Sequence, residues 1–208
     1  MARSSLIVVD DFYEDPDAIR ALALAQTYVR KPMAIYPGRE AVVPGRDWSQ
    51  ERMRLRAYID EPCDAPCPKR EPFPQGKFRL ALAEDEATRV DRAHFDQQRW
   101  SAVVYLSRNE DCREGLVLYR HRPTGSVVLD ESWLRANFGH LYHLPPDESR
   151  REILAFFRDP EQFEAIGLIP MAYNRAIIMM AQVFHGSGVA FGDCPEHGRL
   201  SQHFEFYA

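Results

Sequence analysis

The chain has 208 residues, of which 45% are hydrophobic and 12% aromatic, so we expect one domain, residues 1–208, with one sizeable core. Its formal charge is −5 and its acidic and basic residues are interspersed, which argues against nucleic acid as a partner. The apolar N-terminal run Leu6–Val9 is far too short for a signal peptide or a membrane span, which predicts a cytoplasmic protein without a membrane partner.

Residues 1–75 are interpreted as an accessory N-terminal region. The run Leu6–Val9 is typical of a short buried strand. Asp15 followed by Pro16 fits an N-cap with proline in the first helical turn, which predicts a helix that runs to about Tyr28.

Two proline-rich stretches predict irregular structure. Residues 31–45 contain three prolines and two glycines, so a tight turn and no regular element are expected there. Residues 61–76 contain five prolines and the pair Cys63 and Cys67, and are interpreted as an irregular loop. Four cysteines are too few for a disulfide scaffold, so thiols in a reducing compartment are expected, and the pair alone indicates no function.

Residues 76–208 are typical of a β-rich core, because short β-branched and aromatic runs alternate with Gly, Asn, Asp and Pro. The predicted strands are residues 77–82, 101–106, 116–120, 176–184 and 200–207. Apolar residues at helical spacing predict a helical insertion at about 130–169. We therefore expect a mostly β protein with flanking helices: an eight-stranded jelly roll (a cupin-like double-stranded β-helix) with N-terminal helices and this insertion.

Two residues of metal-ligand type lie two positions apart before one predicted strand. His94 and Asp96 precede the strand that begins near residue 100, and residues two apart on extended backbone point to the same side. The pair can therefore contact one ion. A His-x-Asp pair is common by chance, so it carries weight only together with further ligands.

A third candidate ligand, His185, lies at the end of another predicted strand and is followed by the permissive glycines Gly186 and Gly188. Two imidazoles and one carboxylate can occupy one face of a metal ion and leave the opposite face open, the arrangement that non-haem iron(II) oxygenases require. Taken alone, His185 is also typical of a satisfied core histidine.

The last predicted strand opens with Arg199 and Ser201, which face the same way because they are two residues apart. A guanidinium offers a planar, permanently charged fork to a carboxylate, and a neighbouring hydroxyl adds one more donor. The pair is therefore a candidate anchor for a dicarboxylate. The alternative is a surface hairpin arginine, since residues 192–198 are typical of a polar loop.

His94-x-Asp96, then His185, then Arg199-x-Ser201 resembles the signature of the Fe(II)/2-oxoglutarate-dependent oxygenase superfamily. The two predicted strands after the His-x-Asp pair and the N-terminal strand with its helix are also similar to that superfamily. The resemblance covers most of the chain. The insertion at about 130–169 matches no general pattern of the superfamily, which indicates an uncharacterised subgroup.

The resemblance implies a hydroxylase that uses Fe(II), 2-oxoglutarate and O2. The three candidate ligands would hold the iron, and the distal carboxylate of 2-oxoglutarate would pair with Arg199 and Ser201. Tyr105 is a further candidate for hydrogen bonding to 2-oxoglutarate, with core packing as the alternative. The reaction would couple oxidative decarboxylation of 2-oxoglutarate to hydroxylation of an unactivated C–H bond. Halogenation is not expected, because Asp96 keeps the carboxylate ligand that halogenating relatives lack.

The substrate is expected to be a small molecule or an amino-acid or peptide side chain, and the sequence leaves the oligomeric state open. Arg120 and Arg122 are candidates for binding an anionic substrate group, and an exposed basic turn is the alternative. Arg175 is a further candidate, although a structural arginine is favoured there. His203 alternates with Arg199 and is interpreted as a packed residue.

Two other functional classes remain open at this stage. One is a non-catalytic, cupin-like protein that binds a small molecule or a metal. The other is a zinc hydrolase that uses the same three ligands. The ordered ligands followed by the Arg-x-Ser pair favour the oxygenase.

Overall fold

The computed structural model describes residues 5–31, 36–68, 71–89 and 93–208. The strands in these residues are β1 (Leu6–Val9), β2 (Arg39–Ala41), β3 (Lys77–Ala81), β4 (Trp100–Tyr105), β5 (Gly115–His121), β6 (Phe163–Pro170), β7 (Ala176–Met180), β8 (His185–Gly186) and β9 (Arg199–Phe206). The α-helices are α1 (Pro16–Leu24), α2 (Ser49–Arg56), α3 (Glu131–Phe138) and α4 (Pro146–Arg158). Across these described ranges, every helix is too short or too polar to cross a membrane.

The strands form two antiparallel sheets. The larger has the strand order β1-β7-β4-β9-β3-β2, and the smaller has the order β6-β5-β8. β1 and β2 are the two edge strands of the larger sheet, so the N-terminal residues are part of the same sheet as the core strands. The boundary near residue 75 between an accessory region and a core stays a prediction.

One face of the larger sheet packs against the N-terminal helices. Leu200, Phe204 and Phe206 of β9 belong to a buried cluster that also contains Ile19 of α1 and Leu55 of α2. These β9 residues share one face because successive side chains of a strand point to opposite sides. The intervening β9 side chains therefore point to the other face.

The other face of the larger sheet lies opposite the smaller sheet. Tyr105 of β4 and Ile177 of β7 form a buried cluster with Leu116 of β5, and Leu118 and Ile169 pack against it. Two sheets thus face each other across an apolar contact. The intervening side chains of β9 enter the space between the sheets.

The helical insertion packs beside the smaller sheet through aromatic side chains. The ring of Trp133 in α3 has its centroid 5.0 Å from that of Phe184, and the ring of Phe157 in α4 lies 5.7 Å from that of Phe95. Asp130 caps α3 by accepting a hydrogen bond from the backbone N–H of Trp133. Phe95 and Phe184 each adjoin a candidate metal ligand in the sequence, so the insertion supports the segments that carry these ligands.

The prediction of a mostly β protein with flanking helices is confirmed. The strands predicted at 77–82, 101–106, 116–120 and 200–207 match β3, β4, β5 and β9 to within one residue at each end. The strand predicted at 176–184 is shorter and ends at Met180. The loop predicted at 61–76 contains no helix or strand in its described residues, and residues 69–70 lie outside them.

The helical prediction for residues 163–169 is wrong. These residues form β6, which pairs with β5 along its whole length, from Phe163 opposite His121 to Pro170 opposite Gly115. Pairing with a neighbouring strand thus overrides a spacing of apolar residues that resembles a helix.

Two N-terminal predictions also need correction, and one helix was not located from the sequence. α1 ends at Leu24 rather than near Tyr28, because the chain then extends and Val29 exchanges two backbone hydrogen bonds with Glu40, at 2.8 and 2.9 Å. β2 lies within the stretch 31–45 that was predicted to be irregular, of which residues 32–35 lie outside the described ranges. α2 has no sequence signal, since Leu55 is its only buried residue.

Candidate metal centre

His94, Asp96 and His185 each present a ligand atom, and these three atoms all lie within 4.8 Å of one another. His94 and His185 are antiparallel partners whose backbones exchange two hydrogen bonds, at 2.8 and 2.9 Å. Their ring centroids are 4.4 Å apart, and His185 Nε2 lies 3.7 Å from Asp96 Oδ2. The three groups therefore converge on a point that one metal ion can occupy.

Neighbouring groups orient two of these ligands. His185 Nδ1 lies 2.7 Å from the carbonyl oxygen of Val183, so Nδ1 carries the proton and donates, and Nε2 is left to bind a metal. Ser101 Oγ donates to Asp96 Oδ2 at 3.2 Å, and the amide of Gln98 donates to Ser101 Oγ. These contacts fix the ring and the carboxylate before any ion binds.

The electrostatics favour the protonation states that bind metals. Burial and the nearby His185 lower the pKa of His94, which keeps its imidazole neutral. Burial alone would raise the pKa of Asp96, but the two histidines reverse this effect and lower it. The Asp96 side chain is 37% exposed, and it lines a cavity, so its carboxylate is open to a bound ligand.

The donor set fits a metal ion. Two neutral imidazoles and one carboxylate suit iron, zinc and related divalent ions. His94 Nδ1 is buried and has no hydrogen-bond partner among the described residues, and such atoms are uncommon in folded proteins.

A cavity of about 190 Å³ adjoins the three ligands. Arg199 and Tyr105 line it, and the guanidinium carbon of Arg199 lies 5.8 Å from the centre of the Tyr105 ring. Arg199 is only 7% exposed, and its Nε has no hydrogen-bond partner among the described residues. Burial lowers the pKa of Arg199, yet a guanidinium stays charged in proteins. The cavity thus contains a buried cation suited to an anionic ligand.

Ser201 of β9 lies directly opposite Tyr105 of β4 as its cross-strand partner. It pairs with Tyr105 of β4 on one side and with Arg79 of β3 on the other. Ser201 is fully buried, and its Oγ lies 2.9 Å from His203 Nε2. Ser201 therefore lies on the cavity side of β9 together with Arg199, and its hydroxyl bonds to a neighbouring ring.

Among the polar residues that line this cavity, sequence reasoning missed Ser101, Gln98 and Arg79. Ser101 has a usable signal, since it alternates with Tyr105 along β4 and so shares its face. Arg79 has no such signal, because its place beside Ser201 depends on how β3 and β9 align.

The structure does not bring the three arginines proposed for substrate binding into this cavity. Arg120 and Arg122 form ion pairs with Glu164, at 2.6 and 3.5 Å, on the exposed side of β5 and the following turn. Arg175 donates two hydrogen bonds to the carboxylate of Asp10, at 2.6 and 3.0 Å. These pairs agree with the alternative of a structural role, and substrate contact by these arginines stays a prediction.

The sequence matches one family model over residues 1–206, whose description is "Family of unknown function (DUF6445)". The chain belongs to this family. No curated protein matches the sequence. Because the description of the family assigns no function, the assignment depends on the geometry of the site.

Several solved structures resemble the chain at low sequence identity. A Pseudomonas putida prolyl-4-hydroxylase is 14% identical, with a TM-score of 0.43, and the alignment covers 98% of this chain and 92% of that one. The non-heme alpha ketoglutarate dependent epimerase SnoN from nogalamycin biosynthesis is 14% identical, with a TM-score of 0.49 and coverage of 99% and 79%. HygX from Streptomyces hygroscopicus, solved with nickel and 2-oxoglutarate bound, is 13% identical, with a TM-score of 0.44 and coverage of 99% and 83%.

Proposed function

We propose that the chain is a mononuclear non-haem iron(II) oxygenase that uses 2-oxoglutarate as co-substrate. The observation that carries this proposal is the convergence of three ligand atoms to within 4.8 Å of one another, beside a cavity that also contains the buried, incompletely paired Arg199. A metal site alone fits many functions. A metal site combined with a buried cation in the same small cavity fits a ligand that binds a metal at one end and carries a carboxylate at the other.

His94, Asp96 and His185 would hold the iron. When bound, iron(II) with 2-oxoglutarate and O2 supplies the oxidising power to hydroxylate a C–H bond, while 2-oxoglutarate is converted to succinate and carbon dioxide. Arg199 would pair with the distal carboxylate of 2-oxoglutarate, with Tyr105 as a neighbouring donor.

The hydrogen bond between Ser201 and His203 allows Ser201 to take part in this anchor. If His203 Nε2 carries the proton, the ring donates to Ser201 Oγ, and the serine O–H is left to donate to a carboxylate. Burial, together with the positive charges of Arg79 and Lys77, lowers the pKa of His203, so the ring is neutral.

The side of the site formed by His185 and Phe184 is closed to water. His185 is 3% exposed, and Phe184 beside it is fully buried against the aromatic side chains of the insertion. We propose that the two facing sheets form the double-stranded β-helix expected from the sequence, with the three ligands at one end. The closed aromatic side holds the ligands, and the cavity side receives the co-substrate.

Two features favour this function over the alternatives. Asp96 supplies a carboxylate ligand, which argues for hydroxylation rather than halogenation. Arg199 gives a dicarboxylate co-substrate a second anchor beside the metal, which hydrolysis by a zinc-bound water does not require. A cupin-like binding protein would share this geometry. Catalytic turnover, which a binding protein lacks, distinguishes the proposed oxygenase from it.

Anaerobic titration of the protein with Fe(II) and then 2-oxoglutarate tests the proposal. We expect a weak charge-transfer absorbance band that needs both ligands, that is lost in Asp96→Ala, and that requires more 2-oxoglutarate in Arg199→Gln. Succinate release should follow on admission of oxygen. If wild-type protein gives no band, or an equal band in Asp96→Ala, the proposal is wrong.

A further inference from the structure

A second arginine, Arg79 of β3, lines the same cavity as the three ligands. Arg79 is the cross-strand partner of Ser201, and Ser201 is in turn the partner of Tyr105. Cross-strand partners project to the same face of a sheet. Arg79 and Tyr105 therefore flank Ser201 on opposite sides, within the face that bears Arg199.

Arg79 and two neighbouring lysines share one carboxylate as their ion-pair partner. The carboxylate of Glu40 lies 3.0 Å from Arg79 Nε and 3.1 Å from Lys31 Nζ, and it also pairs with the buried Lys77. Within the described ranges, this single carboxylate is the ion-pair partner of all three cations. Burial, followed by the positive charge of Arg79, lowers the pKa of Lys77 to about 8, although its pairing with Glu40 opposes this shift.

Two aromatic rings shape the space next to these cations. The guanidinium carbon of Arg79 lies 3.8 Å from the centre of the Tyr36 ring, and Lys77 Nζ lies 4.4 Å from the centre of the Phe73 ring. Both rings line the cavity. A guanidinium stacked on a ring and held by a carboxylate has a fixed orientation, so it is prepared for a planar anion. The rings add apolar surface for the body of a ligand.

The two carboxylates of 2-oxoglutarate both have other partners in the proposed function, which leaves Arg79 for a different anion. In the proposed function, 2-oxoglutarate places one carboxylate on the metal and the other on Arg199. Arg79 then remains for an anion that 2-oxoglutarate does not supply. We propose that Arg79 binds a carboxylate of the substrate, so that the substrate is a small carboxylic acid rather than a neutral molecule. This inference rests on the proposed function for the assignment of Arg199.

Matched pairs of charged and neutral probes test this inference. The protein is loaded with Zn(II) and saturating 2-oxoglutarate, which prevents turnover, and its melting temperature is measured with N-acetyl-L-amino acids and with their C-terminal amides. A ligand that binds the folded state raises the melting temperature. We expect several acids to raise it more than their amides do.

The variant Arg79→Gln should remove the preference for acids, lowering the affinity for the best acid about tenfold or more, and should keep the stabilisation by 2-oxoglutarate. Arg135→Gln is the matched control, because Arg135 is 73% exposed and pairs only with Glu131 among the described residues. Arg135→Gln should keep both the preference for acids and the stabilisation by 2-oxoglutarate. If Arg79→Gln does not fold, Arg79→Lys replaces it, and a weaker preference for acids is expected because an ammonium lacks the planar fork.

Equal responses to acids and amides in the wild type, or a full preference for acids in either Arg79 variant, would overturn this inference alone. Absence of any stabilisation of the wild type by 2-oxoglutarate would overturn the proposed function and the inference together.

Discussion

Arg199 gives the most informative single substitution, because stability and ligand binding should change in opposite directions. Arg199→Met keeps much of the side-chain volume and removes a buried charge whose Nε has no partner within the described ranges. If Arg199 is retained to bind 2-oxoglutarate, the unliganded variant should be more stable than the wild type. Its affinity for 2-oxoglutarate should fall.

Both magnitudes follow from the environment of the side chain. Replacing buried ionic groups by apolar residues of similar volume can stabilise a protein by about 1–4 kcal/mol. We expect about 1–2 kcal/mol here, since the substitution also removes the contact of Arg199 with the Tyr105 ring at 5.8 Å. Charge-assisted hydrogen bonds are worth about 1.5–3 kcal/mol, so binding of 2-oxoglutarate should weaken about 10- to 150-fold.

Urea unfolding of the unliganded proteins measures the first effect, and titration of the Zn(II)-loaded proteins with 2-oxoglutarate measures the second. Arg20→Met is the matched control: Arg20 is equally buried, at 8% exposed, and its Nε likewise has no partner within the described ranges, but its Nη2 donates to the carbonyl oxygen of Glu196. It should lose about 1–3 kcal/mol of stability and bind 2-oxoglutarate normally. A less stable Arg199→Met that binds 2-oxoglutarate as well as the wild type does would refute the reasoning.

Three further predictions concern the ligands and their support. Ser101→Ala removes the donor to Asp96 and should weaken metal binding about 10- to 100-fold, measured by competition with a chelator; an unchanged affinity would contradict the proposed role of Ser101. Phe157→Ala opens the aromatic cluster beside Phe95 and should cost about 3–5 kcal/mol in urea unfolding, whereas a cost below about 1 kcal/mol would show that the insertion does not support the site. Burial would raise the pKa of Glu40, but its ion pairs lower it to about 2, so this carboxylate stabilises the fold above about pH 4 and ceases to do so as pH falls toward 2. Glu40→Gln should therefore be about 3 kcal/mol less stable than the wild type at pH 7. In unfolding experiments at acid pH, this difference in stability should narrow between about pH 4 and 2. A difference that stays constant with pH would contradict this role of Glu40.

The candidate ligands were predictable because their signal is local. His94 and Asp96 are two residues apart, and His185 is marked by the glycines that follow it. Gly188 shows why glycine is needed there: its φ is +72°, and a Cβ would lie 2.5 Å from the carbonyl oxygen of Gly115. The strand pattern of the core was also predictable, since β-branched and aromatic runs encode it directly.

Features that depend on pairing between distant residues were not predictable. β6 was included in the predicted helical insertion because Phe163 follows Leu154 and Phe157 at helical spacing, and only its pairing with β5 makes it a strand. Arg79 enters the cavity because β3 aligns with β9 in one particular register, which a single sequence does not reveal. Arg120 has the right chemistry for an anion but pairs with Glu164 instead, and sequence separation concealed that partner.

A crystal structure of the protein grown with Mn(II) and 2-oxoglutarate tests the central claim most directly. We predict one metal ion bound by His94, Asp96 and His185, with 2-oxoglutarate on its open face and the distal carboxylate paired with Arg199. A metal ion bound elsewhere, or 2-oxoglutarate absent from the cavity at saturating concentration, would contradict the account.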